Sequence, residues 1–242
     1  MFLDTTLRRN PELIETAFKL HQKGLIQPDT YILDLDAILH NGRHILQEAE
    51  KCGIKLYFMT KQFGRNPFIA EELLNLGYQS AVVVDERELE ILYQNGIPIG
   101  HAGHLVQIPS KRIRDVLLKN PEVITVYAVE KAREISRAAL ELNRVQNIML
   151  RVIADDDVSY PGQYGGIHIG RLQRAAEEML KLPNIKLYGL TAFPCFLITA
   201  PKLYTLLHSV NTRILTRRLR TVAAEARSSC ITSSLLFAPT LR

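Results

Sequence analysis

The sequence predicts an α/β fold with a parallel sheet, since six short β-prone runs alternate with helical segments at a spacing of roughly 25 residues. The chain has 242 residues, of which 47% are hydrophobic and 23% are charged. Such a chain can bury the core of one domain of this class. The motifs GxGxxG and GxxxxGK(S/T) follow none of the runs, so neither nucleotide-binding motif favours an open, doubly wound sheet.

Capping residues and periodicity predict the individual elements. Asn10 can cap a first helix that has Pro11 at its first position and closes near Gly24. Alternating apolar side chains predict a strand over 31–36, and helical spacing predicts a helix over 37–52. Further strands are predicted over 54–60, 81–84, 97–101, 123–128, 148–153 and 185–191, and helices over 67–76, 86–94, 110–119, 130–143 and 171–182.

Polar or reactive side chains come just after the predicted strands. They are Lys61, Asp85, His104, Asp155 to Asp157, and the segment Phe193-Pro194-Cys195. In a barrel the carboxyl ends of all strands share one rim, and that rim is where active sites of such barrels lie. The sequence therefore predicts a (β/α)8 TIM-type barrel with these side chains gathered at one end.

The composition argues against secretion and membrane insertion. Asp4 lies where a signal peptide needs an apolar core, and the apolar stretch 187–200 is shorter than the roughly 20 residues of a membrane span. Three widely spaced cysteines form no CxxC pair: Cys52, Cys195 and Cys230. We expect a reduced, cytoplasmic location and no membrane partner. Cys195 is interpreted as a small buried hydrophobic residue.

The positive charge is confined to the tail. The net charge is +5, but residues 197–242 hold seven lysines and arginines against one acid, Glu225, while the other 196 residues hold 23 basic and 24 acidic groups. The body of the protein is therefore not basic, and no nucleic-acid partner is predicted. A nucleic-acid-binding helix over the arginine-rich residues 213–227 is the alternative.

Lys61 ends an apolar, β-prone run and is followed closely by Gly64. A lysine at the end of a strand can be held by the sheet while its amine faces a cleft. Partial burial and a neighbouring cation favour the neutral amine that Schiff-base chemistry needs. Lys61 is therefore the candidate Schiff-base lysine. The alternative is a solvated strand end.

Several motifs together resemble one family. They are Tyr31-Ile-Leu-Asp-Leu-Asp-Ala with Asn41, Thr60-Lys-Gln-Phe-Gly-Arg-Asn-Pro, Gly103-His-Leu-Val-Gln-Ile-Pro, Asp155-Asp-Asp, Tyr160-Pro-Gly-Gln and Gly189-Leu-Thr-Ala-Phe-Pro-Cys. This combination is similar to the fold-type III pyridoxal-phosphate proteins, the alanine racemase N-terminal barrel family, and within it to the YhfX branch. The resemblance covers about residues 1–196, which would form a pyridoxal-phosphate-binding barrel domain.

The resemblance implies that Lys61 carries pyridoxal 5'-phosphate. Arg65 could supply the neighbouring cation or bind the phosphate, since its planar fork suits phosphate oxygens. His104, within Gly100-His-Ala-Gly-His, could hydrogen-bond a ring substituent or relay a proton as a neutral imidazole, and the two glycines could let the ring approach the backbone. A structural or solvated histidine is the alternative, and His101 is the weaker candidate.

The chain departs from the family pattern at two places. Related enzymes carry a glycine-flanked arginine beside the lysine, but no arginine lies between Arg151 and Arg171, so Tyr160 or Gln163 would substitute for it. Related racemases often have histidine where this chain has Ala192. Phe193 would then support the cofactor ring, unless it is a core residue.

Asp155, Asp156 and Asp157 suggest a metal site, since hard cations bind carboxylates. Neighbouring residues on extended backbone point to opposite faces, and no second acidic cluster lies nearby in the sequence. We therefore predict no metal and expect the carboxylates to anchor their loop.

The tail, residues 197–242, differs in composition from the rest. All 13 glycines lie at or before Gly189, and the last aspartate is Asp157. A barrel needs such residues at its loops and helix starts. The seventh and eighth strands are therefore not predicted, and the barrel is expected to be incomplete at its C-terminal end. A truncated or frameshifted remainder is the hypothesis, and translation of the neighbouring reading frame would test it.

The leading functional prediction is a pyridoxal-phosphate-dependent protein that acts on an amino acid, of the racemase or epimerase type, with a homodimer in the full-length family. The same chemistry could deliver aldol cleavage or decarboxylation. The first alternative is a non-catalytic protein of pyridoxal-phosphate binding and homeostasis, or an inactive truncated enzyme. The second is a cofactor-free Schiff-base aldolase.

Overall fold

The computed structural model of the chain describes residues 2–155, 157 and 159–194. The tail 197–242 and Cys195, for which the sequence made specific predictions, lie outside the described residues. The chain divides into two compact units, Met1–Ile45 and Leu46–Arg242. The described sheet lies wholly in the second unit, and so does the chemistry predicted above.

The described residues form eight α-helices and seven strands. The helices are α1 (Phe2–Arg9), α2 (Pro11–Gln22), α3 (Leu35–Lys51), α4 (Pro67–Leu76), α5 (Glu86–Gln94), α6 (Ile113–Leu118), α7 (Val129–Glu141) and α8 (Leu172–Leu180). The strands are β1 (Phe58–Met59), β2 (Ala81–Val82), β3 (Ile99–Ala102), β4 (Val123–Val126), β5 (Gln146–Ile153), β6 (Ile167–His168) and β7 (Ile185–Thr191). Short 3-10 helices cover Lys61–Phe63, Ser110–Arg112 and Ile169–Arg171.

Side-chain caps explain where several helices begin. The Asn10 side chain accepts a hydrogen bond from the Leu13 N–H, and Pro11 takes the first helical position of α2. Asn66 caps α4 in the same way. The Asp85 carboxylate accepts from two backbone N–H groups in the first turn of α5, which fixes the start of that helix directly after β2.

The sheet is parallel throughout. Its main path runs β1-β2-β3-β4-β5-β7, and β6 pairs with the last two residues of β5. The register places Met59 beside Val82, His101 beside Val123, and Arg151 beside Thr191. Because all strands run the same way, their carboxyl ends meet at one edge of the sheet, which we call the carboxyl edge.

The core lies between the sheet and the helices that follow the strands. Strands β2, β3 and β4 are buried along their whole length, as expected for parallel strands that are covered on both faces. The covering helices bury apolar stripes: Leu89 and Leu92 on α5, Ala132, Ile135 and Ala139 on α7, and Ala175, Ala176 and Met179 on α8. Each fully buried leucine contributes about 2 kcal/mol of transfer free energy. The predicted α/β class is confirmed.

The strand predicted over 31–36 is wrong. Residues 31–34 have no regular secondary structure, and α3 begins at Leu35. The Asp34 carboxylate accepts the Ala37 N–H at 2.9 Å and so acts as a helix cap. The Asn10 side chain donates to the other Asp34 oxygen at 2.5 Å. The alternation of apolar residues resembled a strand, but the local hydrogen bond of the aspartate starts a helix instead.

The short strand β6 lies in a segment that the sequence predicted as a polar loop. It has two residues, Ile167 and His168, which is too short to show a strand period. The run predicted over 54–60 likewise pairs only at Phe58 and Met59. The other predicted strands and helices of the second unit are observed with shifts of a few residues at their ends.

No helix of the described part combines the length and the apolar character that crossing a membrane requires. The cytoplasmic location stays a prediction.

Gly100 lies on β3, and replacing it with alanine tests how tightly this strand packs against its neighbours. A Cβ atom at this position would lie 2.4 Å from Ser80 Oγ and 2.5 Å from the Tyr57 ring. We expect Gly100→Ala to lower the free energy of unfolding in urea by about 2 kcal/mol, because the core must shift to admit one methyl group. Gly170→Ala is the matched control, since its Cβ would meet only the His168 side chain, at 3.2 Å. Equal stability of Gly100→Ala and wild type would contradict the packing.

Candidate active site

Lys61 directly follows β1 at the carboxyl edge, on a tight turn. The Thr60 carbonyl accepts hydrogen bonds from the Phe63 N–H (3.2 Å) and the Arg65 N–H (2.9 Å). Gly64 and Arg65 both have left-handed backbone conformations, with φ of 68° and 58°. The Lys61 side chain is exposed. The turn, which we call the lysine turn (residues 60–65), therefore presents the amine to solvent at the edge where the sequence predicted it.

Glu88 anchors the lysine turn from the neighbouring helix α5, and sequence reasoning did not identify it. It is 1% exposed. One carboxylate oxygen accepts the Thr60 hydroxyl hydrogen and lies 3.4 Å from Arg65 Nε, and the other accepts the Val84 N–H at 2.5 Å. Arg65 thus has an acidic partner that was not predicted. Its proposed part in cofactor binding stays a prediction.

His104 lies beyond the end of β3 and is completely buried. Burial, followed by the nearby charges of His101, Arg151 and Lys61, lowers the pKa of His104 well below its usual value of 6.5. Burial also lowers the pKa of His101 to about 4, and the His101 Nε2 atom lies 2.6 Å from Thr125 Oγ1. Both imidazoles are therefore neutral near pH 7, the protonation state predicted for His104.

Arg151 is the central cation of the carboxyl edge. It lies on β5, is 1% exposed, and donates to the Tyr127 hydroxyl, to the Gln163 carbonyl at 2.7 Å and to the Phe193 carbonyl at 3.2 Å. The guanidinium carbon also lies 4.7 Å from the centre of the Tyr127 ring. The Tyr127 hydroxyl in turn donates to the His104 carbonyl at 2.6 Å. One side chain thus connects the segments that follow β3, β4, β5 and β7.

Phe193 connects His104 to Tyr160. Its ring centre lies 5.2 Å from that of His104, edge to face, and 6.1 Å from that of Tyr160. Tyr160 is half exposed, whereas Gln163 is held through its backbone by Arg151. The predicted residues His104, Tyr160, Gln163 and Phe193 therefore come together at the carboxyl edge, although 89 residues of sequence separate His104 from Phe193.

Several buried polar atoms at this edge have no hydrogen-bond partner among the residues that the structure describes. They are Nδ1 and Nε2 of His104, Nε of Arg151, Oε1 of Gln163 and Oγ1 of Thr191. Buried polar groups are almost always hydrogen-bonded, because leaving one unpaired costs about 1–3 kcal/mol. A concentration of such atoms beside a lysine and an arginine is what a polar, anionic cofactor or substrate would satisfy. Arg151 Nε, the Thr191 hydroxyl and one nitrogen of the neutral His104 ring can donate, whereas Gln163 Oε1 and the other ring nitrogen can only accept. The donors fit the anionic groups of the predicted cofactor.

The protein itself packs closely against the two glycines near His104. A Cβ at Gly103 would lie 2.7 Å from the Thr125 carbonyl oxygen, and one at Gly100 would meet Ser80 and Tyr57. Both positions need glycine because the protein itself packs against them. Their predicted role in the approach of a cofactor ring stays a prediction.

The acidic loop after β5 shows an anchoring role. The Asp157 carboxylate accepts the Ala154 N–H at 2.8 Å, as predicted, and Asp155 Oδ1 lies 3.1 Å from His168 Nε2 at the surface. Asp156 lies outside the described residues. Within the described part of the chain, no group of three or more histidine, cysteine or acidic residues could hold a metal ion.

A separate cavity of about 420 Å³ lies at the opposite edge of the sheet, beside the amino ends of β2, β3 and β4. Its lysine and its glutamate already have ionic partners: Lys119 pairs with Glu90 at 3.0 Å, and Glu122 pairs with Lys55 at 2.5 Å. One atom of the cavity wall, Ser80 Oγ, is buried without a hydrogen-bond partner among the described residues, and so is Gln146 Oε1 at the start of β5. The larger group of such atoms, together with Arg151, lies at the carboxyl edge. The candidate active site is therefore placed there.

A family model for the N-terminal domain of alanine racemase matches residues 33–241. The Escherichia coli K-12 protein YhfX is 44% identical over 217 residues, an alignment that covers 86% of this chain and 56% of YhfX. The chain belongs to the alanine racemase N-terminal domain family. The family and branch predicted from the motifs are confirmed, and the chain spans little more than half the length of YhfX.

Solved structures show the same fold. Diaminopimelate decarboxylase from M. jannaschii matches with a TM-score of 0.66 and 16% identity, over 85% of this chain and 50% of that one. Alanine racemase from Clostridium difficile 630 matches with a TM-score of 0.63 and 20% identity, over 83% and 50%. The TIM-type barrel class is thereby confirmed for this member of the alanine racemase N-terminal domain family. Its incompleteness at the C-terminal end stays a prediction.

Two residues that sequence reasoning missed organise the site of this family member. Arg151 interrupts the apolar run of β5, and a charged residue within a buried strand is itself a signal, since arginine is rarely buried without a partner. Glu88 falls three residues after the cap Asp85, a spacing typical of a capping box. A capping box is by itself a sufficient reason for a glutamate at this position, so the spacing does not indicate contacts between Glu88 and the lysine turn.

Because His101 and His104 are buried and neutral, we predict that acid destabilises the protein. In the unfolded chain a histidine has a pKa of about 6.5, so below that pH the unfolded state binds protons that the native state does not. The contribution of these histidines to the free energy of unfolding is therefore fully present above pH 6.5, and it is lost as the pH decreases below that value. His101, whose pKa is lowered to about 4, alone contributes a loss of about 3 kcal/mol between pH 7 and pH 4.

Urea unfolding of the wild type and of His101→Gln at pH 7, 6 and 5 measures this effect. We expect a smaller decrease in the variant, because glutamine can hydrogen-bond Thr125 but does not titrate. His21→Gln, at an exposed histidine of α2, should follow the wild type. Identical pH dependence for His101→Gln and wild type would show that His101 does not contribute.

Proposed function

We propose that the chain is a pyridoxal-phosphate-dependent protein that acts on an amino acid, of the racemase or epimerase type, and that the cofactor attaches covalently to Lys61. The observation that carries the proposal is the set of unpaired buried polar atoms at the same edge as Lys61. Family membership supports it, since the motifs of this chain resemble those of fold-type III pyridoxal-phosphate proteins.

Different residues of the carboxyl edge would bind different parts of the cofactor. Arg151 Nε and the His104 ring nitrogens are free, within the described part, to contact oxygen or nitrogen atoms of the cofactor. Phe193 and Tyr160 offer aromatic surface beside them, and Gln163 is placed by Arg151. Arg65 would contribute to phosphate binding, with its charge partly balanced by Glu88. When bound, pyridoxal phosphate supplies an electron sink that makes the Cα proton of an amino acid acidic.

The protein's own groups would handle that proton. Lys61 is exposed on a turn held by three hydrogen bonds. Once the amine of a substrate has displaced it from the cofactor, the freed neutral amine of Lys61 would be able to take a proton from Cα and return it. His104 stays neutral near pH 7, because protonation is opposed by burial and by the neighbouring cations. A neutral imidazole can accept or donate a hydrogen bond without adding a second positive charge to the site.

Covalent trapping tests the attachment site. The chain is incubated with pyridoxal phosphate, reduced with sodium borohydride, digested and analysed by mass spectrometry. We expect one modified lysine, Lys61, and a loss of about 100-fold in adduct for Lys61→Arg. The control is Lys111→Arg, because Lys111 is also exposed on a 3-10 helix, and it should leave the adduct unchanged. An adduct at another lysine would contradict the assignment of Lys61.

Two further measurements separate the functional alternatives. Exchange of the α-proton for deuterium across a panel of amino acids is expected for the enzyme but not for a protein that only binds the cofactor. Absorbance of the purified protein with added pyridoxal phosphate, compared before and after borohydride, distinguishes both from a cofactor-free Schiff-base aldolase. Trapping of a carbonyl substrate on Lys61 without any cofactor adduct would favour that aldolase.

A further inference from the structure

We propose that Glu88 is a positioning residue for Lys61, which holds the lysine turn against helix α5 and so sets how Lys61 meets an aldehyde at the carboxyl edge. The inference rests on the proposed function for its consequence at Lys61. Its structural basis is independent of the cofactor, because Glu88 contacts the residues that flank Lys61 in the chain.

The contacts of Glu88 fall on both sides of Lys61. Thr60, the residue before the lysine, donates its hydroxyl hydrogen to one carboxylate oxygen, and Arg65, four residues after it, places Nε 3.4 Å from the same oxygen. Thr60 also closes the turn through its carbonyl, which accepts the Phe63 and Arg65 N–H groups. The carboxylate therefore fixes the first and last residues of the lysine turn together.

Because Glu88 is buried, its carboxylate requires hydrogen-bond donors from the protein. The Glu88 side chain is fully buried, whereas that of Arg65 is 43% exposed. A buried carboxylate must be hydrogen-bonded, and charge-assisted hydrogen bonds are shorter and stronger than neutral ones. Hydrogen bonds from the Thr60 hydroxyl and the Val84 N–H meet this requirement, and the ion pair with Arg65 adds a third contact. Any movement of the lysine turn away from α5 would remove two of these contacts, so the turn is held in one place.

A purely local role for Glu88 accounts for only part of these contacts. As the third residue after the helix cap Asp85, it would be expected to accept the backbone N–H of that cap. Its second oxygen instead accepts the N–H of Val84, one residue before the cap, and so still holds the segment that leads into α5. The first oxygen contacts Thr60 and Arg65 in the lysine turn, and helix capping does not require these contacts. A test must therefore separate an effect on the lysine turn from an effect on the stability of α5.

Hydrogen–deuterium exchange of the full chain is the first test. In Glu88→Gln the amide hydrogens of the peptide that spans 60–65 should exchange about tenfold faster or more, because a neutral amide cannot hold Arg65 and no longer pairs as strongly with Thr60. Glu86→Gln on the same helix is the matched control and should leave these rates unchanged. Rates in Glu88→Gln within about twofold of the wild type would overturn the proposal.

Chemistry at Lys61 is the second test. Trapping with pyridoxal phosphate and borohydride should fall about tenfold in Glu88→Gln. Reductive methylation of Lys61 by formaldehyde and cyanoborohydride, which needs no alignment, should change by less than about threefold. An unchanged pyridoxal-phosphate adduct would contradict positioning. A wild type without any adduct at Lys61 would instead overturn the proposed function, and the exchange measurement would then decide the role of Glu88.

Thr60→Val keeps the test decisive if Glu88→Gln does not fold. Valine matches threonine in shape and removes only the hydroxyl, at a position that is completely buried. We expect faster exchange over 60–65 and less adduct at Lys61, both changed less than in Glu88→Gln because the Arg65 contact remains. Urea unfolding of each variant shows whether a general loss of stability explains the change. Wild-type exchange and wild-type trapping in Thr60→Val would overturn the proposal.

Discussion

A buried guanidinium must be surrounded by acceptors, and the way Arg151 meets this requirement determines the geometry of the carboxyl edge. The arginine cannot lose its charge at any ordinary pH. The structure supplies the Tyr127 hydroxyl, two backbone carbonyls and the face of the Tyr127 ring. Each acceptor belongs to a segment that follows a different strand. The need to solvate one cation thus draws together segments that are distant in the sequence.

The same cation determines the chemical state of its neighbours. A charge fixed beside His104 in a low-dielectric environment opposes protonation of that histidine, in addition to the larger effect of burial. Lys61 lowers the pKa of His104 in the same direction and is the smallest of its causes. The His104 ring therefore remains neutral near pH 7, although neither ring nitrogen has a hydrogen-bond partner among the described residues. The ring packs against Phe193 and His101, and the His104 carbonyl accepts a hydrogen bond from the Tyr127 hydroxyl.

Whether the sequence could predict a feature of the fold or the site depends on how far apart in the chain the interacting residues lie. The parallel sheet and the position of Lys61 after β1 follow from short apolar runs and their spacing, which are local signals. The strand wrongly predicted over 31–36 shows the limit of periodicity, because one side-chain hydrogen bond from Asp34 starts a helix in its place. The roles of Arg151 and Glu88 depend on partners 12 to 42 residues away. No local pattern specifies those partners.

The balance of charge at the carboxyl edge indicates what kind of molecule it accommodates. Arg65 is compensated by the carboxylate of Glu88, whereas Arg151 has no carboxylate partner within the described residues. Acidic side chains also lie at this edge, among them Asp85, Glu88 and Asp157. Hydrogen bonds to neutral acceptors solvate a guanidinium without cancelling its charge, so the charge of Arg151 itself remains. Lys61 adds to it whenever its amine is protonated. An anionic or electron-rich group that entered beside His104 would gain interaction with both cations and satisfy the unpaired Nε of Arg151. A cationic group would meet repulsion from the same two side chains. The uncompensated charge of Arg151 therefore supports the proposal of a ligand that carries phosphate or carboxylate groups.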